Sequence, residues 1–387
     1  MTDLSSLTAS LLDAAKRAGA DAADAIARSG TSLSIEVRDG ALEHAERSEG
    51  IDIGLRVLIG QRQACVSASD TSRATIGEMA ERAAAMARLA PEDPYAGLAH
   101  ASQLATDRSA DALDLVEDAP EPQPAALQDA AQTAEAAALA RDGVSQVQSS
   151  SAGFSRSAVH LAATNGFAGG YARSSHWLSA VAIVGEGTEM ERDHFGESRI
   201  YRGDLPSPGE VGRIAAERAL SRRGARKPKT GAFPVLYDER VAAGLIGHLL
   251  QAANGASVAR GSSWLKDRLG EQVLPASLSI VEDPHRVRVG GSRPFDGEGL
   301  PTRARRIVDN GVLSGWTLDL ANARKLGMAS TGNASRGTSS PPSPSVSNIA
   351  LTESDQSRED LMRDMGTGLL VTSLIGSSIN PTTGDYS

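Results

Sequence analysis

The sequence predicts an α+β fold of two domains. The first is an antiparallel sheet with packed helices, and the second is a mostly β domain with a few helices. Stretches that alternate apolar and polar residues around Gly turns predict the strands, and Ala-rich stretches with helical spacing predict the helices. A chain of 387 residues exceeds one average domain, and the basic, Pro-containing segment ARKPKTGAFP follows the first set of elements. We therefore assign residues 1–225 to the first domain and residues 232–387 to the second.

The first ninety residues predict a helix, then antiparallel hairpins, and then a second helix. The stretch MTDLSSLTASLLDAAKRAGADAADAIARSG is typical of an amphipathic helix and lacks the uninterrupted apolar core of a signal peptide. Alternating residues then indicate antiparallel hairpins with turns at Asp39-Gly40 and Gly60. The segment TSRATIGEMAERAAAMARLA opens with a Ser/Thr cap and returns to helical spacing.

The rest of the first domain continues the same pattern. From residue 91 to about residue 124 the chain is acidic and contains several prolines, which indicates a surface excursion outside the domain core. An Ala-rich helix ending near Arg141, meandering strands with Gly and Asn-Gly turns, and a helix from Pro208 to Gly224 follow.

The second domain has fewer regular elements. We expect a strand at FPVLYD, a helix at GLIGHLLQAANG, a strand at LSIVEDP and a long loop-rich region. A Ser/Pro-rich loop, a helix and the apolar stretch GLLVTSLIG complete it.

Composition excludes several classes of function. The net charge is -9 and the basic residues are scattered, so we expect no nucleic-acid partner; an aromatic content of 3% also disfavours base stacking. Cys65 is the one cysteine, which suits a reducing compartment and a free core thiol. No run approaches the roughly 20 apolar residues needed to span a bilayer. We expect a cytoplasmic protein without membrane contact.

His248 is the first candidate for chemistry, because it lies on an apolar helix as the first ligand of a zinc peptidase would. A hydrolytic zinc site needs further ligands and a carboxylate that activates water. The neighbouring residue is Leu249, and Ala252 and Ala253 follow one turn later. On this pattern a packed or hydrogen-bonded histidine is favoured over a metal ligand.

The densest set of possible metal ligands is the acidic group Glu189, Glu191, Asp193 and His194. Alternation along a strand would place its acids on one face, where water can solvate them. We therefore expect an exposed acidic face without a metal.

Serine hydrolysis has only weak sequence support. Ser263 and Lys266 match S-x-x-K, and residues 229–231 match K-T-G, but their order is reversed relative to penicillin-recognising enzymes. No G-x-S-x-G elbow occurs. Short matches of this kind arise by chance.

Four stretches of the second half carry a family resemblance. In order, they are FPVLYDERVAAGLIGHLLQAANGASVARGSSWLKDRLGEQVLP, SRPFDGEGLPTRARRIVDNGVLSGWTLDLANARKLGMASTGNASRG, PPSPSVSN and MGTGLLVTSLIGSSINPTTGDYS. In these stretches and their order, the second half resembles the TldD/PmbA family of cytoplasmic metallopeptidases. The hairpin DGALEHAERSEGIDIGLRV is similar to the first domain of the family.

TldD-type chains carry H-E-x-x-x-H and a later cysteine that bind zinc. Leu249 and Ala253 replace the Glu and the second His here, so the chain resembles the PmbA branch, also called TldE.

The resemblance implies a subunit that joins a TldD-type partner to form a peptidase for unfolded or small peptides. The partner would supply zinc, the water nucleophile and the general base, and this chain would bind no zinc and carry no catalytic residue. Candidates for lining the peptide cavity lie in two loop regions and are Phe295, Asp296, Glu298, Asn333 and Asn348. Equally, FDGEG can be a tight turn whose acids face water. Since family chains normally continue past GDYS, we expect the second domain to be truncated.

Two alternatives stay open. The chain could be a non-enzymatic peptide-binding or scaffold protein without a peptidase partner. A weaker alternative is a self-sufficient hydrolase that uses His248 or Ser263.

Overall fold

The computed structural model describes residues 3–387 and contains both helices and strands. The helices are α1 (Leu4–Arg17), α2 (Arg73–Leu89), α3 (Pro124–Leu139), α4 (Pro208–Leu220), α5 (Glu239–Ala252), α6 (Gly255–Ala259), α7 (Leu320–Lys325) and α8 (Arg358–Met365). The strands are β1 (Ala22–Arg38), β2 (Ala41–Ile59), β3 (Arg62–Ala68), β4 (Val144–Ala163), β5 (Ala168–Val184), β6 (Glu191–Arg199), β7 (Val235–Tyr237), β8 (Ile280–Glu282), β9 (Arg305–Asp309), β10 (Val312–Leu313), β11 (Ala334–Ser335), β12 (Ser343–Pro344), β13 (Ile349–Leu351) and β14 (Leu369–Val371). The predicted α+β class is confirmed.

A six-stranded antiparallel sheet organises the first half of the chain, in the order β3-β2-β1-β4-β5-β6. The turn between β1 and β2 has φ of 52° at Asp39 and 72° at Gly40. A two-residue hairpin turn of type I′ requires positive φ at both central positions, which Asp-Gly tolerates. The hairpins predicted at this turn and at Gly60 are confirmed.

Residues 22–30 form the start of β1, so the prediction of a helix throughout residues 1–30 is wrong in its last third. Ala23, Ala25 and Ala27 are fully buried and face one side of the sheet. Ladders to β2 and β4 satisfy the backbone on both edges, and the small side chains let helices approach closely. Tertiary pairing therefore overrides the high helix propensity of alanine.

All four helices of the first half cover the same face of the sheet. α1 and α2 pack on one half of that face in a cluster that includes Leu11, Leu55 and Ala83. α3 and α4 pack on the other half with Ile35 and Ala215. The two halves share β1, whose odd-numbered residues contribute to both clusters.

Most of the acidic excursion is exposed or half-buried, but a few of its residues bridge the sheet and the C-terminal region. It contains two 3-10 turns, at Ala101–Gln103 and Asp111–Leu113. Ala105 and Leu115 are buried, and the Ala105 N–H donates to the Gly299 carbonyl at 2.9 Å. The excursion is therefore part of the contact between the two halves of the chain.

The C-terminal region contains a four-stranded antiparallel sheet in the order β10-β9-β8-β13 and two two-stranded pairs, β11–β12 and β14–β7. Its core includes Leu249, Leu265 and Ile307. This region packs on the face of the large sheet that the helices leave open. Contact there is close, since a Cβ added at Gly54 would lie 2.2 Å from the Thr338 carbonyl oxygen.

One edge of the large sheet is incompletely paired. β3 pairs with β2 only from Ile53 to Ile59, and residues 41–50 of β2 are exposed. The charged side chains of this free edge include Glu43, Glu46 and Arg47. Within the described residues, no helix is long and apolar enough to cross a bilayer.

Candidate functional site

Helix α5 places His248 on the wall of a cavity of about 640 Å³. Asp238 caps the start of the helix, and its carboxylate accepts from the Arg240 N–H at 3.2 Å. The His248 ring is half-buried and lies edge-on to Tyr386, with 5.6 Å between ring centroids. His248 thus has an aromatic packing partner, as the sequence pattern favours.

The residues around His248 do not fit a hydrolytic zinc site. Leu249 and Ala253 stand where the H-E-x-x-x-H motif of the resemblance has its Glu and its second His, and both are buried in the C-terminal core. Neither side chain can coordinate a metal or activate water. Across residues 3–387, no group of three or more His, Cys, Asp or Glu side chains is arranged to hold a metal ion.

Asp193 departs from the expected exposed acidic face, because it is buried beneath two arginines. Its carboxylate accepts from Arg222 Nη1 at 3.1 Å and from Arg240 Nη1 at 3.2 Å. Burial opposes ionisation, but the His194 N–H and the two guanidinium groups hold the pKa of Asp193 below its usual value. Because Arg240 belongs to α5, this ion pair fastens that helix to β6.

Ser263 uses its hydroxyl within the local fold. It is 1% exposed, donates to the Ala252 carbonyl at 2.6 Å and accepts from the Leu265 N–H at 3.0 Å. These bonds fix the loop after α6 against the end of α5. The hydroxyl is therefore engaged as a structural anchor.

Phe295 and Asp296 line a second cavity, of about 350 Å³, between the large sheet and the C-terminal region. Its apolar wall includes Ile26, Leu161 and Tyr171 as well as Phe295. The rings of Tyr171 and Phe295 meet edge to face at 5.5 Å. Two predicted cavity residues therefore do face a cavity, which we call the interdomain cavity.

The sequence left two interpretations of FDGEG open, a cavity-lining loop and a tight turn whose acids face water, and the segment has features of both. It is a turn, closed by the Gly299 N–H donating to the Asp296 carbonyl at 3.1 Å, with φ of 81° at Gly299. Its acids do not face bulk water, however: Asp296 is 1% exposed and Glu298 is half-buried. The Glu298 carboxylate accepts from the Leu320 N–H at 2.8 Å.

Asp296 is held by three backbone N–H groups. One carboxylate oxygen accepts from Glu298 and Leu300, each at 2.9 Å, and the other accepts from Ala334 at 3.0 Å. Burial nevertheless raises the pKa of Asp296. Burial and the adjacent Asp296 carboxyl raise the pKa of Glu298 to about 8.

Asn333 and Asn348 brace the loops beside the interdomain cavity. The Asn333 amide donates to the buried Glu282 carboxylate at 2.7 Å. The Asn348 amide donates to the Ser292 hydroxyl at 2.7 Å and to the Asp283 carbonyl at 2.8 Å. Both side chains thus bond within the C-terminal region, where they hold neighbouring segments together.

Sequence reasoning missed the arginines of the interdomain cavity. They come from β1, β5, the loop after β8 and the residue after β11, and are Arg28, Arg173, Arg293 and Arg336. Residues separated by up to three hundred positions give no local signal. Only the docking of the C-terminal region on the sheet brings them together.

Comparison with known proteins identifies the family. Models of the PmbA/TldA metallopeptidase domain 1, central domain and C-terminal domain match residues 23–87, 117–223 and 230–387. The metalloprotease PmbA of Escherichia coli O157:H7 is 35% identical over 367 residues, which cover 95% of this chain and 79% of the relative. The chain belongs to the PmbA/TldD metallopeptidase family. Its similarity to PmbA places it in the PmbA branch.

Solved structures share the architecture of this PmbA-branch chain. A protein of Bacteroides thetaiotaomicron described as a putative modulator of DNA gyrase superposes with a TM-score of 0.90 at 25% identity, covering 98% of this chain and 84% of that one. TldE of Thermococcus kodakarensis superposes with a TM-score of 0.85 at 20% identity, covering 98% and 85%. The latter likeness supports the fold.

Proposed function

We propose that this chain is the PmbA/TldE-type subunit of a cytoplasmic zinc metalloprotease that processes small or unfolded peptides. A TldD-type partner supplies the zinc, and this chain shapes the space that holds the peptide. The observation that carries the proposal is the environment of α5. In a chain of a metallopeptidase family, His248 is followed by buried Leu249 and Ala253, where the H-E-x-x-x-H motif has its Glu and its second His.

The contribution of this chain is peptide binding and exclusion of water. The interdomain cavity offers an apolar wall around Phe295 and a polar wall of arginines. A cavity of a few hundred Å³ suits one or two residues of a peptide. The zinc site of the partner would perform the hydrolysis.

Reconstitution tests the proposal. The chain is purified alone and together with the TldD-type chain encoded in the same genome, and each preparation is assayed for zinc by plasma mass spectrometry and for cleavage of an unfolded peptide. We expect zinc and cleavage only in the complex, with the zinc retained by the partner after the chains are separated. Stoichiometric zinc and full cleavage by the isolated chain would contradict the proposal.

The same experiment addresses the peptide-binding alternative. If no TldD-type chain forms a complex while the isolated chain still binds peptides, the role of a peptide-holding protein without a peptidase partner is supported instead. Family membership favours the subunit.

A further inference from the structure

Four arginines surround the interdomain cavity, whose lining contains one acidic residue, Asp296. Arg28 Nη2 donates to the backbone carbonyl of Arg336 at 2.7 Å, which ties the Arg28 side chain to the segment after β11. Arg336 is 3% exposed and pairs with Asp24. The cavity is thus a confined space with an excess of positive charge, which favours an anion.

Three of these arginines use only part of their hydrogen-bonding capacity within the chain. Arg173 Nη2 donates to the Ser292 carbonyl at 2.7 Å, and Arg293 Nη2 donates to the Ser345 carbonyl at 3.0 Å. Arg28 likewise gives one Nη group to a backbone carbonyl. Because a guanidinium carries several N–H donors, each of these side chains keeps further N–H groups at the cavity wall for an acceptor.

The carboxylates of Asp296 and Asp24 already have other hydrogen-bond partners or ion pairs. Three backbone N–H groups occupy the carboxylate of Asp296. Asp24 pairs with both Arg56 and Arg336 through its two oxygens. Neither carboxylate bonds to Arg28, Arg173 or Arg293, so an anion from outside the chain would be a suitable partner for these arginines.

The apolar wall of the cavity, opposite the arginines, indicates that the anion carries an apolar group. Phe295 and Tyr171 present two aromatic rings, and Ile26 and Leu161 add aliphatic surface. Arginine binds a planar carboxylate through parallel N–H groups. A carboxylate attached to an apolar side chain satisfies both walls, and the C-terminal residue of a peptide has this combination.

We propose that the interdomain cavity binds the C-terminal carboxylate of a peptide, with the last side chain against Phe295 and Tyr171. The identification of the ligand as a peptide rests on the proposed function, whereas the anion site rests on the arginines. The site would select peptides with a free, apolar C-terminal residue and fix their position in the cavity.

Peptide binding to the isolated full chain tests this site. The probes are fluorescein-labelled Ala-Ala-Ala-Ala-Leu with a free carboxylate and the same peptide with a C-terminal carboxamide, compared by fluorescence anisotropy. We expect the free acid to bind at least about 10-fold more tightly, because the carboxamide cannot form the charge-assisted hydrogen bonds of a carboxylate with arginine. Equal affinities, or no binding of either peptide, overturn the proposal.

Inorganic phosphate provides a second probe, since arginines bind phosphate as well as carboxylate. Phosphate is titrated against the chain by calorimetry under the same conditions. We expect it to bind more weakly than the free-acid peptide, because it leaves the apolar wall unfilled. Binding as tight as that of the peptide overturns the assignment to a peptide carboxylate.

Variants locate the site. Arg173→Gln and Arg293→Gln should each weaken free-acid binding by about 10-fold and leave amide binding unchanged. Arg324→Gln is the matched control, because Arg324 donates to the Tyr95 and Leu98 carbonyls at 2.9 and 2.7 Å outside the cavity. Equal loss of both peptides in the cavity variants, or selective loss of the acid in Arg324→Gln, contradicts the site.

This assay uses neither the partner nor zinc. Failure of peptide binding would leave the subunit proposal standing, because zinc and cleavage are measured in the complex. Conversely, failure to reconstitute a peptidase would leave a measured preference for the free acid intact.

Discussion

At the scale of single residues, Glu298 is an acid that the fold keeps protonated near neutral pH. Burial and the adjacent Asp296 carboxyl raise its pKa from 4.5 to about 8. Its oxygen accepts the Leu320 N–H, so either protonation state keeps one bond to the start of α7. The free-energy cost of ionising Glu298 therefore comes from burial and from the neighbouring carboxyl, and it depends on pH.

We expect the stability of the protein to fall as pH rises from about 5 to 8. In this window the folded state holds a proton on Glu298 that the unfolded state has lost, so the stabilisation is complete below pH 4.5 and is lost as pH passes about 8. In Glu298→Gln the free energy of unfolding, measured by urea titration at several pH values, should decline less. The exposed Glu271→Gln is the control and should keep the wild-type slope. A Glu298→Gln slope equal to that of the wild type would contradict the assignment.

At the scale of elements, the contact between α3 and α4 depends on a residue without a side chain. A Cβ added at Gly212 of α4 would lie 1.9 Å from the Ala134 carbonyl oxygen of α3. Backbone atoms cannot rotate away as a flexible side chain can. The two helices would therefore have to separate to accommodate even a methyl group.

Gly212→Ala should destabilise the protein by about 1–3 kcal/mol, as overpacking of a close contact does. The change is measured as the shift in the free energy of unfolding by urea. Gly209→Ala in the same helix is the matched control, since a Cβ there meets nothing within 4 Å. Equal effects of the two substitutions would show that helix propensity, and not the interhelical contact, determines the result.

How far the sequence predicts these elements depends on how local the determining interactions are. The Asp39-Gly40 turn and the cap at Ser72 were predictable, because each structure is set within a few residues. Residues 22–30 were not, because one of their two partner strands, β4, comes from more than a hundred residues away. Asp193 was misplaced for the same reason: its partner Arg240 arrives with α5.

Some residues of the candidate site could likewise be predicted from the sequence, and others could not. His248 and Leu249 lie on α5 and Ala253 directly follows it, so the H-E-x-x-x-H motif of the resemblance could be compared with the sequence position by position. Phe295 and Asp296 were identified through a family resemblance and do line a cavity. The arginines that face them could not be found, because their proximity is a product of tertiary packing.

At the scale of the whole molecule, a buried ion cluster joins the two halves of the chain. Asp24 of β1 pairs with Arg56 of β2 and with Arg336 of the C-terminal region, and all three side chains are at most 6% exposed. Burial lowers the pKa of Arg336 to about 9. One carboxylate thus offsets two buried positive charges at the contact between the halves.

Asp24→Asn should cost about 3–5 kcal/mol, because it leaves two buried guanidinium groups without their anion. The loss should appear as a lower midpoint of urea unfolding and as faster proteolysis between residues 225 and 234. Glu121→Gln, which removes an exposed pair with Arg47, is the control and should cost less than about 1 kcal/mol. Comparable costs for the two variants would show that the cluster does not hold the halves together.

The pairing of β1 with β4 also determines the order in which the chain can fold. The β1–β2–β3 meander forms from segments that are neighbours in the sequence. On the other side of β1, Asp24 pairs with Ala163 of β4, so a loop of about 140 residues must close before β1 and β4 can pair. Such non-local pairing slows folding. Until β4 arrives, β1 exposes an open edge that a second unfolded chain can occupy. The yield of refolding should therefore fall as protein concentration rises, even under conditions where the finished fold is stable.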